Sequence, residues 1–160
     1  MSRIGIGNLA SNSGPLFGIL IKIGLTETLT FVGGYALGIV PGFVVGASII
    51  VISDIATVPG AWTPFIAVII GLLGVCAGVI RRIGAKPSLP LFGVSAICLT
   101  ILSEILQNGW VAVAYNVPFL VTMVTGLSSL VAALINNFVL FTTVGLRVTR
   151  IVRHSAGRAE

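Results

Sequence analysis

The sequence predicts an all-α fold, a polytopic membrane helical bundle of five to six transmembrane helices. Three observations carry that expectation. First, 56% of the 160 residues are hydrophobic and 8% are charged, with a mean hydropathy of +1.15. So few charges cannot clothe a soluble core of this length. Second, several apolar runs approach the roughly 20 residues needed to cross a hydrocarbon core. Third, most of the basic residues fall in two clusters, Arg81, Arg82 and Lys86, then Arg147, Arg150, Arg153 and Arg158. Clustered Lys and Arg mark cytoplasmic loops. No soluble basic face accompanies the pI near 10, which argues against a nucleic-acid partner. Alternating polar and apolar positions at about ten-residue spacing are missing, which argues against an outer-membrane barrel.

The chain reads as one integral membrane domain, 1–160. Residues 1–15 read two ways. Ala10, Gly14 and Gly18 are four apart and would form one close-contact helix face. Pro15 tolerates only a first turn or a kink, and the polar stretch 11–13 breaks the apolar run without resembling a cleaved signal. A span within 2–21 would be the sixth. Residues 22–40 form a span with Lys22 and Glu27 near one end. Pro41-Gly42 reads as a tight turn, and a second run, 42–56, follows. Gly34, Gly38, Gly42 and Gly46 are spaced by four, which predicts close helix packing or a contact face for a partner's helices.

The stretch DIATVPGAW, 54–62, is a loop with Pro59-Gly60 as its turn signal. Residues 63–80 span again, with Ala67, Gly71, Gly74 and Gly78 on a small-residue face. A basic loop, 81–88, precedes a span over 89–107 that carries Glu104 near its far end. Gln107, Asn108 and Gly109 are expected to end it. Residues 110–126 are apolar but interrupted by Asn116 and Pro118. The last span is 127–146, with Asn136 and Asn137 about halfway down, and 147–160 is a basic tail.

Charge bias then gives a topology. If both basic clusters are cytoplasmic, an even number of crossings separates them. That leaves 110–126 as an interfacial or re-entrant segment on the outside, where Trp110 and Tyr115 suit the headgroup level. It also places the DIATVPGAW loop outside, Pro41-Gly42 inside, and the C-terminus in the cytoplasm of a cell-membrane protein.

Ionisable groups within spans cost several kcal/mol unless they pair, snorkel or line a wet cavity. On this topology Glu27, Asp54 and Glu104 all lie toward the outer ends of their helices. Trp62, Thr63, Asn108, Trp110 and Tyr115 lie in adjoining outer loops, and Asn137 lies below them. Together they suggest an outward-opening pocket with aromatic walls and amide groups, suited to a small organic ligand. Acidic character favours a cationic or amine-bearing one. Each residue has a plainer alternative. The tryptophans could be interfacial belt residues. Asp54 could cap the next helix, Glu27 could pair with Lys22, Glu104 could snorkel, and one asparagine could join helices.

Catalytic chemistry has no candidate, so no enzyme activity, cofactor or metal site is expected. The one histidine, His154, sits in the basic tail. No Gly-x-x-x-x-Gly-Lys loop is present, so uphill transport would need energy from elsewhere. Cys76 and Cys98 lie in apolar runs without metal or redox spacing.

The run Gly38, Pro41-Gly42-Phe43, Gly46-Ala47, Ser53-Asp54, Pro59-Gly60, Trp62-Thr63-Pro64-Phe65, Gly71-Leu72-Leu73-Gly74, Gly78 and Arg81-Arg82 resembles the substrate-binding S components of energy-coupling factor vitamin transporters. It is most similar to the branch with a Trp-Thr-Pro element after the third helix. Gly126-Leu127, Asn137 and the approach to Arg147 and Arg150 extend the likeness over roughly 26–153. The resemblance implies six helices and capture of a micronutrient from outside. It also implies association with a transmembrane coupling subunit and two cytoplasmic ATPases, which would supply the missing energy source. Ala10, Gly14 and Gly18 are the nearest match to the face that meets the coupling subunit, although Pro15 and residues 11–13 depart from it. A structural subunit of a larger complex, or a small homo-oligomeric channel, are the competing classes.

Overall fold

The computed structural model describes residues 16–56 and 60–156, with side chains over 24–56 and 60–152. All the regular structure among the described residues is helical. It comprises α1 (Leu16–Leu37), α2 (Ile39–Ala56), α3 (Thr63–Arg82), α4 (Leu89–Ala114) and α5 (Phe119–Leu140). A π-helical turn (Phe141–Gly145) then leads into α6 (Leu146–Ala156). Four of the helical stretches are long and apolar enough to cross a membrane: Ile39–Ala56, Thr63–Arg82, Leu89–Ala114 and the continuous rod Phe119–Val152. The expected additional span within 2–21 lies mostly outside the described residues, as do Ala10 and Gly14. Gly18 falls in α1, but its surroundings are not described.

The centre of the bundle is α1. From Thr30 to Ala36 every residue is buried, and only Leu29 interrupts the buried run from Glu27. A helix that is apolar nearly all round has to be enclosed by others, and α1 packs on α2, α3, α5, the π turn and α6. Its C-terminal end is tied at the basic pole. The Tyr35 hydroxyl donates to the Ala85 carbonyl, and the Arg81 guanidinium donates to the Ala36 carbonyl.

The glycine spacing is spent on internal packing. In α2 the buried residues are Gly42, Gly46, Ile50 and Asp54, a single stripe at every fourth position. Gly34, Gly42 and Gly74 meet where α1, α2 and α3 cross. A Cβ on Gly42 would run into the Gly34 Cα and stand 2.6 Å from the Gly74 carbonyl oxygen. The turn between α1 and α2 is Gly38 alone, at φ +114°, a conformation that L side chains avoid. The expected Pro41-Gly42 turn is therefore corrected. Pro41 lies in the first turn of α2, where a missing N–H breaks no helical bond.

The expected break at 107–109 is also absent. The Gln107 amide bonds to the Ser103 hydroxyl at 2.7 Å, and the Asn108 amide to the Glu104 carbonyl at 2.8 Å. Their polar groups are satisfied on the helix itself, so α4 runs on to Ala114. The reversal comes at Tyr115–Pro118, with Asn116 at φ 52°, a region asparagine tolerates better than most residues. Residues 110–126 are thus neither re-entrant nor a separate span. They are the end of one long helix, a turn and the start of the next. Two helical stretches long and apolar enough to cross a membrane, Leu89–Ala114 and Phe119–Val152, lie between Lys86 and the end of the basic segment.

Candidate functional site: a polar seam between α1, α4 and α5

Helices α1, α2 and α3 form a glycine-tight trio, and α4 and α5 form a hairpin packed beside it. Across this junction α1 and α4 meet through long side chains. Near the basic pole the bridge is aromatic: Phe31 lies 5.0 Å from Phe92 and 5.0 Å from Phe141, and Tyr35 lies 5.5 Å from Phe92. One to two turns earlier on α1 the bridge becomes polar.

There Glu27 is buried at 7% exposure. The Asn137 amide of α5 donates to its Oε2, and the Thr100 hydroxyl of α4 donates to the same oxygen at 3.4 Å. Asn137 also donates to Thr100 at 2.7 Å, and the Ser103 hydroxyl lies close by on α4. Asn137 itself is 0% exposed, yet its Oδ1 has no partner. That oxygen faces Gly24, one turn before Glu27 on the same face of α1; a Cβ on Gly24 would stand 3.0 Å from it. The corner is already filled: the same Cβ would stand 2.2 Å from the Asn136 Nδ2 and 2.6 Å from the Leu140 Cδ1.

From this cluster a polar face continues along α4. Thr100, Ser103, Glu104, Gln107 and Asn108 are spaced three and four apart, so they share one side of the helix. Asn108 is buried, and its amide lies 3.3 Å from the Glu104 carboxylate. Across the hairpin the Thr122 hydroxyl donates to the Asn108 carbonyl at 3.3 Å, and the Asn108 side chain lies over Gly126. The seam runs from the middle of the bundle to the pole opposite Arg81.

The sequence-predicted residues sort into three groups. Glu27, Glu104, Asn108 and Asn137 belong to the seam. Trp110 and Tyr115 stand at its end away from Arg81, in an aromatic group with Phe65 of α3: Trp110 is 5.2 Å from Phe65 and 6.0 Å edge-on from Tyr115. Asp54 and Thr63 form a third group that fastens the α2–α3 loop. The Thr63 hydroxyl donates to Asp54 Oδ2 at 2.8 Å and accepts from the Gly60 N–H at 3.2 Å. The half-buried Trp62 covers Gly60 and packs against the core. Thr63→Ala removes both bonds and should lower stability by about 1–2 kcal/mol, in the range for a lost helix-start cap. Thermal unfolding in detergent without added ligand measures this.

Thr100, Ser103 and Gly24 complete the seam and were not singled out from the sequence. Gly24 carried no signal; that of the other two was the three- and four-residue spacing of Thr100, Ser103, Glu104, Gln107 and Asn108. It is visible only when 89–114 is read as one helix. Of the predicted alternatives, the Lys22 side chain lies outside the described residues. Asn136 and Asn137 both border Gly24, although they are adjacent on α5. Comparison with protein-family models, curated proteins and solved structures finds no match for this chain.

Proposed function

We propose that the chain is a membrane-embedded capture subunit for a small organic micronutrient, similar to the S components of energy-coupling factor transporters. In this reading it has five to six spans, its C-terminus is cytoplasmic, and separate ATPases working through a membrane coupling subunit supply the energy. The observation that carries the reading is the buried Glu27 carboxylate where α1, α4 and α5 meet. One polar face of α4 leads from it to the aromatic group at the outer pole. Burying a carboxylate in a membrane bundle is expensive. A bundle already held by apolar rings and glycine contacts gains little from one unless it does work. Amide and hydroxyl groups on three helices can orient a small molecule, and the outer rings can stack on it.

The test is ligand-dependent stabilisation of the purified protein across a panel of vitamins, nucleobases and corrinoids. A member of the panel should raise Tm, and Glu27→Gln should abolish that rise. Affinity purification from the native membrane should bring down ATPase subunits. A flat melting response together with a fixed complex lacking ATPases would instead identify a structural subunit.

A further inference from the structure

We propose that the basic pole of the bundle is a binding surface for the phosphates of anionic phospholipids, formed by Arg82 and Lys86 after α3 together with Arg147 and Arg150 of α6. It stands whether or not the chain captures a ligand. The fold brings the two basic clusters to one pole. Tyr35 packs its ring on Phe92 and donates to the Ala85 carbonyl. A Cβ on Gly145, the last residue of the π turn, would lie 3.6 Å from Phe92. The α3–α4 loop and the start of α6 therefore flank the same end of α1. Arg82, Lys86, Arg147 and Arg150 are all exposed there, and among the described residues no carboxylate pairs with any of them. Of the four acids in the sequence, Glu27 reaches Thr100 in the middle of the bundle, Asp54 holds Thr63 at the far end, and Glu104 lies beyond Thr100 on α4. Glu160 is outside the described residues.

Depth and apolar neighbours select a lipid over a dissolved anion or an acidic protein. Phe119 and Arg147 are 28 residues apart on one continuous rod, about 42 Å at the rise of an α-helix. A bilayer with its headgroup layers is about 40–45 Å thick. With Phe119 in one headgroup layer, Arg147 and Arg150 stand in the other. Thr63 and Arg82 are 19 residues apart on α3, about 29 Å, which matches a hydrocarbon core of about 30 Å and sets Arg82 at its edge. Large apolar side chains turn outward among the basic ones: Ile83 is 76% exposed, Leu89 59% and Ile151 65%. A dissolved phosphate would leave these in water. At the boundary between headgroups and acyl chains they are immersed, while the neighbouring guanidinium and ammonium groups reach the phosphates.

The test compares thermal unfolding of the purified full chain in nanodiscs of phosphatidylcholine alone and of phosphatidylcholine and phosphatidylglycerol in equal parts. The anionic lipid should raise Tm by about 5 °C, and the rise should shrink as added salt screens the charges. Two paired variants, Arg147→Gln with Arg150→Gln and Arg82→Gln with Lys86→Gln, should each lose a large part of the rise while melting like the wild type in phosphatidylcholine. Arg147→Lys with Arg150→Lys should keep it. Arg81 is left intact because its guanidinium holds the Ala36 carbonyl. An equal Tm in the two lipids overturns the proposal. So does a rise that both Gln pairs retain, which would be a property of the bilayer and not of this surface. A rise of the same size from soluble glycerol phosphate in detergent overturns it in favour of a dissolved anion. Binding of polyglutamate that the Gln pairs abolish, without any response to phosphatidylglycerol, overturns it in favour of an acidic protein.

Discussion

Gly74→Leu should leave no folded monomer. A Cβ at Gly74 would collide with the Gly42 carbonyl group and stand 3.0 Å from the Gly42 Cα. Those neighbours are backbone, so no rotamer change relieves the clash. The crossing of α1, α2 and α3 would have to open along its length. Small residues at such crossings let helices approach closely where the membrane provides no hydrophobic drive. The cost should exceed about 3 kcal/mol, the upper part of the usual overpacking range. Size-exclusion chromatography and thermal unfolding in detergent read the result. Gly109→Ala is the control, because a Cβ there meets nothing within 4 Å. It lies within α4, and replacing a helical glycine by alanine should stabilise by about 0.5–1 kcal/mol. A tolerated Gly74→Leu would show that the three-helix crossing does not hold the bundle together.

Asn137→Leu should destabilise nearly as strongly. It removes the amide donor from Glu27 and from Thr100 together. Leu fills the volume but leaves the carboxylate with hydroxyl partners only. Hydrogen bonds to a charged group contribute about 1.5–3 kcal/mol each, and the stranded group adds its desolvation cost. A loss of about 3 kcal/mol is expected. The diagnostic is the double variant. Glu27→Leu with Asn137→Leu replaces the polar pair by an apolar one and should recover much of the loss, because neighbouring sites are not additive. Unfolding midpoints of the four proteins measure the coupling. Equal losses in Asn137→Leu and the double variant would show that the amide does not serve the carboxylate.

The broad class was legible because it rests on composition and on run length, which need no tertiary information. The small-residue spacings of Gly34, Gly42 and Gly74 were legible as packing, but not which helices they would join. Spacing shows a face and not its partner. The ends of α4 and α5 were misread because Gln107, Asn108 and Gly109 look like a break in isolation. Their amides are satisfied by Ser103 and Glu104 on the preceding turn, and the helix continues. That misreading hid the polar face of α4. Asp54 looked equivalent to Glu27 and Glu104 as an acid near a helix end. The structure separates them by partner: Asp54 holds Thr63, whereas Glu27 reaches across the bundle to Thr100 and Asn137. Such a distinction depends on contacts between residues 73 and 110 positions apart.

The π-helical turn at Phe141–Gly145 has a consequence for the angular phase of the rod. One residue subtends about 100° in an α-helix, and a π turn accommodates one more than an α turn. The setting of α6 about its own axis is therefore decoupled from that of α5. As it stands, Leu146 and Thr149 turn inward and Arg147 and Arg150 turn outward. Were the same residues wound as a plain α-helix, each later residue would turn on by about 100°, so Leu146 and Thr149 would take the headings that Arg147 and Arg150 hold now. Two side chains that α6 buries would then leave the core. The wide turn acts as a phase adjuster, letting Asn137 face the polar seam and the terminal arginines face away from the bundle on one unbroken helix.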